Sequence, residues 1–167
     1  MTEKKENLSQ YDEVIIENSE EINIGIIVSE WNPEVTNALK NAAVETLIKH
    51  KVLIENIDIE YVPGSFELPL AAQWMLEHYE IDAIICLGSI IKGETPHFDY
   101  VCQGVTNSIA RLNQLYSRPV IFGVLTTNDM QQALERAGGK HGNKGVEAAV
   151  AALKMIALSR KISGIKE

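Results

Sequence analysis

The sequence predicts an α/β fold of three layers, a four-stranded parallel sheet covered by helices on both faces. Three observations carry this. Short apolar runs, such as Ile22 to Val28 and Ile81 to Leu87, read as strands buried on both faces. Longer segments between them place apolar residues at helical spacing. Each interval from strand to strand is long enough for the helical crossover that parallel neighbours require.

The elements follow in order. Residues 1–12 are polar and mixed in charge and are expected to form a mobile arm; residues 13–167 are read as one domain. Tyr11 to Glu17 has strand character but stands apart from the regular alternation. Strand one spans Ile22 to Val28. Asn32-Pro33 then supplies a cap and a first-turn proline for a helix from Pro33 to His50, where Val35, Leu39, Ala42, Ala43 and Leu47 recur on one side. Strand two runs from Asn56 to Val62, and Pro63-Gly64-Ser65 turns the chain. The second helix spans Phe66 to Tyr79, with Pro69 tolerable only in its first turn.

Strand three, Ile81 to Leu87, ends in the loop Gly88-Ser-Ile-Ile-Lys-Gly-Glu-Thr-Pro-His-Phe-Asp99. The third helix, Phe98 to Tyr116, aligns Val101, Val105, Ile109 and Leu112. Strand four is Pro119 to Thr126. A short helix, Asp129 to Ala137, breaks at Gly138-Gly139 and Gly142 before a last helix from Lys144 to Arg160. That last helix is rich in alanine, which suits either simple helix propensity or a small-residue face against a second subunit. The expected strand order is 2-1-3-4, the flavodoxin-like arrangement.

Composition narrows the functional classes. The chain has 167 residues, 46% hydrophobic and 23% charged, an ordinary globular mix. A formal net charge of −8 argues against general binding of nucleic acid, whose phosphates recruit basic surfaces. No apolar run approaches membrane-spanning length, and the N-terminus lacks the apolar core of a signal peptide, so a cytoplasmic location with no membrane partner is expected. Cys86 and Cys102 lack zinc-site spacing; Cys86 reads as a core residue, and Cys102, on the following helix, is either reactive or, the favoured reading, a packing residue. No metal site is expected.

The chemistry gathers at strand ends, where open parallel sheets bind ligands. The loop after strand three delivers Lys92, Glu94, Thr95 and His97 to the head of a helix, whose N–H groups and partial positive charge suit a phosphate. The glycines resemble a nucleotide-binding P-loop, but Glu94 stands where that motif needs lysine and would repel a triphosphate. His97 reads as a proton carrier rather than a mere helix cap because those polar groups surround it. Ser29-Glu-Trp-Asn32 puts Trp31 and Asn32 at the same rim, Trp31 either packing or offering a platform for a planar ring. Gly64-Ser-Phe-Glu67 adds Glu67 at a helix start. Arg136 to Gly145, rich in glycine and positive charge, is either a solvated turn or half of a phosphate site completed across a subunit interface.

Five segments in order carry a resemblance to the lumazine synthase family: Ser29-Glu-Trp-Asn32, Val62-Pro-Gly-Ser-Phe-Glu-Leu-Pro69, Gly88 to Val101, Pro119-Val-Ile-Phe-Gly-Val-Leu-Thr-Thr127 and Glu135 to Gly145. The chain resembles that family from about Ile22 to Ser159. The resemblance implies condensation of 5-amino-6-(D-ribitylamino)uracil with 3,4-dihydroxy-2-butanone 4-phosphate, giving 6,7-dimethyl-8-ribityllumazine, phosphate and water. This is the penultimate step of riboflavin biosynthesis and needs no cofactor. It further implies that Trp31 stacks on the pyrimidine while Ser65, Phe66, Glu67, Ser89, Ile90 and Ile91 hold the ring and ribityl chain, joined by Phe122 from an adjacent subunit. Glu94 and Thr95, with Arg136 of that neighbour, would bind the phosphate. His97 would be the general acid/base, with Asn32, Lys92 and Lys144 in support.

The resemblance also implies a homopentamer, and the compact turn at 138–143 points to pentamers joined in an icosahedral shell. Val14 to Glu17 would then pair with a neighbour's sheet edge, and association with riboflavin synthase becomes an option. Two departures stand out: Trp31 replaces the commoner phenylalanine, and Glu94 occupies a position that is often small. A non-catalytic flavin-binding or cage-forming homologue is the alternative, which the joint presence of His97, Arg136 and Lys144 disfavours. A monomeric receiver-like module would need an acidic pocket or phosphate loop after strand one, and Ser29-Glu-Trp-Asn32 offers neither.

Overall fold

The computed structural model describes residues 7–12 and 14–164. Residues 1–6 of the expected arm lie outside that range. Four parallel strands, β1 (Ile24–Ser29), β2 (Ile57–Val62), β3 (Ala83–Ile91) and β4 (Val120–Thr127), form a sheet in the order β2-β1-β3-β4. The helices are α1 (Pro33–Lys49), α2 (Leu68–His78), α3 (His97–Tyr116), α4 (Met130–Glu135) and α5 (Lys144–Ile162). The flavodoxin-like, three-layer expectation holds.

Side-chain alternation along the strands builds two apolar layers. Ile24, Ile26 and Val28 of β1 and Ile85 and Leu87 of β3 meet Val35, Leu39, Ala43 and Leu47 of α1 and the alanine face of α5. Ile27, Ile84 and Cys86 point the other way, against Leu68, Ala72 and Met75 of α2 and Val105, Ile109 and Leu112 of α3. Each fully buried Ile or Leu contributes roughly 1.5–3 kcal/mol, so the sheet is anchored from both sides. Gly145 lets α5 touch the backbone of α1, because a Cβ there would collide with the Leu39 carbonyl.

Three details differ from the sequence reading. β3 does not stop at Leu87: β4 pairs with it through Gly88↔Val124 to Ile91↔Thr127, so the strand runs on and the loop shrinks to residues 92–96. The second helix is preceded by a tight 3₁₀ turn, Ser65–Glu67, and Pro69 falls in the first turn of α2 as expected. The glycine-rich break is a small antiparallel hairpin, β5 (Ala137–Gly139) and β6 (Gly142–Asn143).

Residues 14–16 belong to no strand of this chain. Val14 and Ile16 pack against the α1/α5 layer while Ile15 is 83% exposed. That in-out period is the one a strand would show.

Candidate functional site

The chain leaves β1 toward β2 on one side and β3 toward β4 on the other, so a crevice opens between the carboxyl ends of β1 and β3. A cleft of about 560 Å³ lies there. Its walls come from four places: Trp31 and Asn32 after β1, Ser65, Phe66 and Glu67 after β2, Ser89 to Ile91 at the end of β3, and His97, Tyr100 and Val101 on α3. Nine residues chosen from sequence for substrate binding, support or proton transfer thus share one cavity.

Local geometry explains how each wall is held. Trp31 donates its backbone N–H to the Pro63 carbonyl at 3.2 Å, joining the first two strand-end loops. Its ring lies across Gly64, where a Cβ would come within 2.9 Å of two ring carbons. Glu67 accepts the Gly64 N–H on Oε2 at 3.0 Å, closing the 3₁₀ turn. Trp31 and Phe66 remain 66% and 62% exposed. Large rings left in water beside a cavity are available to a ligand or to a second protein surface.

Asn32 does not cap α1 through its side chain, which corrects the sequence reading. Its backbone is left-handed (φ 58°), and no side-chain cap bond forms. Instead its Nδ2 donates to the Ser89 carbonyl at 3.0 Å. The hydroxyls of Ser29 and Ser89 are buried with no hydrogen-bond partner among the described residues. Because buried hydroxyls are nearly always paired, Ser89 brings unspent hydrogen-bonding capacity to the cleft wall.

His97 is the first residue of α3, exposed, directly after Pro96. Lys92, Glu94 and Thr95 are exposed on the connecting segment and do not line the cleft. Segment 92–96 is tied to β4 by Lys92 N–H, which donates to the Thr127 carbonyl at 2.8 Å.

Phe122, Arg136 and Lys144 lie outside this cleft. Phe122 is half-buried on β4 against the α2/α3 layer. Arg136 donates through Nη1 to the His141 carbonyl and through Nη2 to Glu147 Oε1, both at 2.7 Å. Lys144 reaches Glu147 Oε2 at 3.0 Å. One carboxylate therefore orients both cations around the β5–β6 hairpin. Burial pushes the Cys86 thiol up to about 12, and burial followed by the Asp99 charge raises that of Cys102, so neither is primed as a nucleophile. Among the described residues no cluster of His, Cys, Asp and Glu could hold a metal ion, and no helix is long and apolar enough to cross a membrane.

Residues 21–160 match the family model of 6,7-dimethyl-8-ribityllumazine synthase. This chain belongs to the lumazine synthase family. A 6,7-dimethyl-8-ribityllumazine synthase of Porphyromonas gingivalis is 53% identical over 154 residues, covering 92% of this chain and 96% of the relative. Relatives of the same name from Bacteroides fragilis (58% over 132 residues, 79% and 92%) and Cytophaga hutchinsonii (51% over 157 residues, 94% and 98%) agree.

Two cleft-lining residues and one that pairs with Arg136 and Lys144 escaped sequence reasoning in this lumazine synthase family member. Tyr100 and Val101 line the cleft from the first turns of α3, and Tyr100 follows His97 at the i+3 spacing that shares a helix face. Glu147 follows Lys144 at the same spacing, the available signal for its pairing role.

Proposed function

We propose that this chain condenses 5-amino-6-(D-ribitylamino)uracil with 3,4-dihydroxy-2-butanone 4-phosphate to 6,7-dimethyl-8-ribityllumazine in riboflavin biosynthesis. The observation that carries the reading is the single cleft joining two exposed rings, a carboxylate, an unpaired serine hydroxyl and His97. Trp31 and Phe66 offer faces to the flat pyrimidine. Glu67 and the Ser89–Ile91 backbone suit the amide edges and the polyhydroxyl chain.

The chemistry is a sequence of proton transfers. The ring amine attacks the ketone, and loss of water leaves an imine. Removal of a proton beside it expels phosphate, and the ribityl-bearing nitrogen then closes the second ring with loss of another water. His97, at the mouth of the cleft, serves as the group that takes and returns these protons. Holding both substrates together supplies much of the acceleration.

In this reading the site is completed by a neighbouring subunit. Its Phe122 covers the pyrimidine, and its Arg136 grips the phosphate beside the Glu94 and Thr95 backbone, with its Lys144 nearby. Bidentate guanidinium contact favours departure of the anion. The location of Phe122, Arg136 and Lys144 outside the cleft of their own chain supports this sharing. The strand-like period of residues 14–16 supports pairing with a neighbour in a pentamer. The short Lys140-His141 turn of the hairpin supports association of pentamers into an icosahedral shell.

The deciding experiment mixes purified protein with both substrates and follows the fluorescent product. Acceleration over the spontaneous reaction is expected; a rate equal to background overturns the enzyme reading.

A further inference from the structure

The N-terminal segment is bonded to the hairpin that carries Arg136. Leu8 N–H donates to the His141 carbonyl at 3.2 Å. Ser9 Oγ donates to the Asn143 carbonyl at 3.0 Å and accepts the Asn143 N–H. A hydroxyl is the smallest side-chain group able to give and take at once. Ser9 thereby pairs with β6 as a neighbouring strand would. Further along the segment, Tyr11 rests against the His50 ring with centroids 5.7 Å apart.

The consequence lies at the His141 carbonyl. That one oxygen accepts both Leu8 N–H and Arg136 Nη1. Its direction is set by residues 141–143, and Ser9 grips the far end of that stretch. Gly142, with φ +85°, adds no side chain to stiffen the stretch, which the His141 N–H on the Glu135 carbonyl and the Lys144 N–H on the Arg136 carbonyl hold from the other side, both at 2.9 Å; a Cβ at Gly142 would run into the Ser9 side chain. Asn143 meanwhile anchors the hairpin to the body, its Nδ2 donating to the Ala38 carbonyl at 3.2 Å and its Oδ1 accepting Gly145 N–H at 2.8 Å.

We infer that Ser9 is a positioning residue for Arg136, the segment at residues 8–9 acting as a strap that fixes the guanidinium for the phosphate-bearing substrate. This rests on the reading of Arg136 as a phosphate ligand. Ser9 lies outside the cleft and acts through the 141–143 backbone that carries the His141 carbonyl.

The test uses the full chain and steady-state kinetics with each substrate varied in turn, for S9A, S9T, R136A and the S9A/R136A double variant, with thermal unfolding recorded for each. S9A removes two hydrogen bonds and is expected to raise KM for the phosphate substrate about fivefold, as the part of that loss relayed to Arg136 amounts to one ordinary hydrogen bond. KM for the pyrimidine should stay unchanged, and S9T should restore the wild-type value because its hydroxyl keeps both bonds. In the R136A background the S9A effect should vanish, since nothing remains to position. Equal rises in both KM values, no rescue by S9T, or an undiminished S9A effect on top of R136A would each overturn the role of Ser9. R136A by itself should raise KM for the phosphate substrate about tenfold or more. No rise there removes the reading of Arg136 itself, whereas a full R136A defect beside a silent S9A removes only the strap.

Discussion

Asn32 donates its side-chain amide to the carbonyl of Ser89 at 3.0 Å, a bond between residues 57 apart in sequence. It joins the loop that presents Trp31 to the strand that forms the cleft wall. The same residue holds a left-handed backbone ahead of Pro33, which asparagine tolerates and most side chains do not. Asn32→Ala should therefore lose both features, and Asn32→Gly only the bond. In chemical denaturation the alanine variant should be less stable than the glycine variant by about 1 kcal/mol. Both should raise KM for the pyrimidine to a similar degree; equal stabilities would show that the backbone at Asn32 carries no strain.

Trp31 is the wall most open to substitution, because it packs on Gly64 and otherwise faces solvent. Trp31→Phe should retain ring stacking and change KM for the pyrimidine little. Trp31→Ala should raise it about tenfold, in line with an aromatic pair worth up to about 1.5 kcal/mol beyond area burial. Unfolding temperatures should barely move for either. An alanine variant with wild-type KM would place the pyrimidine elsewhere.

His97 tests the chemistry separately from binding. His97→Ala should lower kcat by up to about 100-fold, the low end of what a positioned acid–base group supplies, with KM for both substrates nearly unchanged. Loss of affinity with full turnover would make His97 a binding residue and leave the proton transfers to another group.

Much of this organisation is legible in the sequence because it is local. Apolar runs such as Ile24 to Val28 mark buried strands, and parallel topology sends their carboxyl ends to one crevice. Trp31, Glu67 and His97, each just after one of those ends, are therefore placed together by the sequence alone. What stayed hidden is non-local. Gly88 looks like a terminus until β4 pairs beside it and carries β3 to Ile91. Asn32 looks like a helix cap until Ser89 takes its amide. The β5–β6 hairpin has only three and two residues, too short for any periodicity to show. Glu147 gains its meaning only when Arg136 folds back onto it.

Cys86 gives the protein a pH dependence at its alkaline edge. The thiol is fully buried, and burial pushes its pKa up to about 12 from an ordinary value near 9. In the unfolded chain the proton leaves near the ordinary value, while in the fold it stays. The folded state then binds more protons than the unfolded one, so stability falls as pH rises from about 9 toward about 12 and is fully present below that window. Urea midpoints measured across the window should fall more steeply for the wild type than for Cys86→Ala. Parallel slopes would mean that the Cys86 thiol does not contribute to the alkaline loss.

Gly145 makes a prediction about packing alone. The start of α5 presses on the carbonyl of Leu39 so closely that an added Cβ has no room. Gly145→Ala ought to gain helix propensity, since alanine is favoured over glycine by about 1 kcal/mol inside a helix. Overpacking works against that gain, typically by about 1–3 kcal/mol, and here the obstacle is backbone rather than a side chain that can rotate away. The net change should be destabilising. The same shift would move Asn143 and Lys144, so KM for the phosphate substrate should rise together with the loss of stability. A Gly145→Ala variant as stable as the wild type would show that α1 and α5 can slide apart at no cost, and an unchanged KM that the hairpin does not follow them.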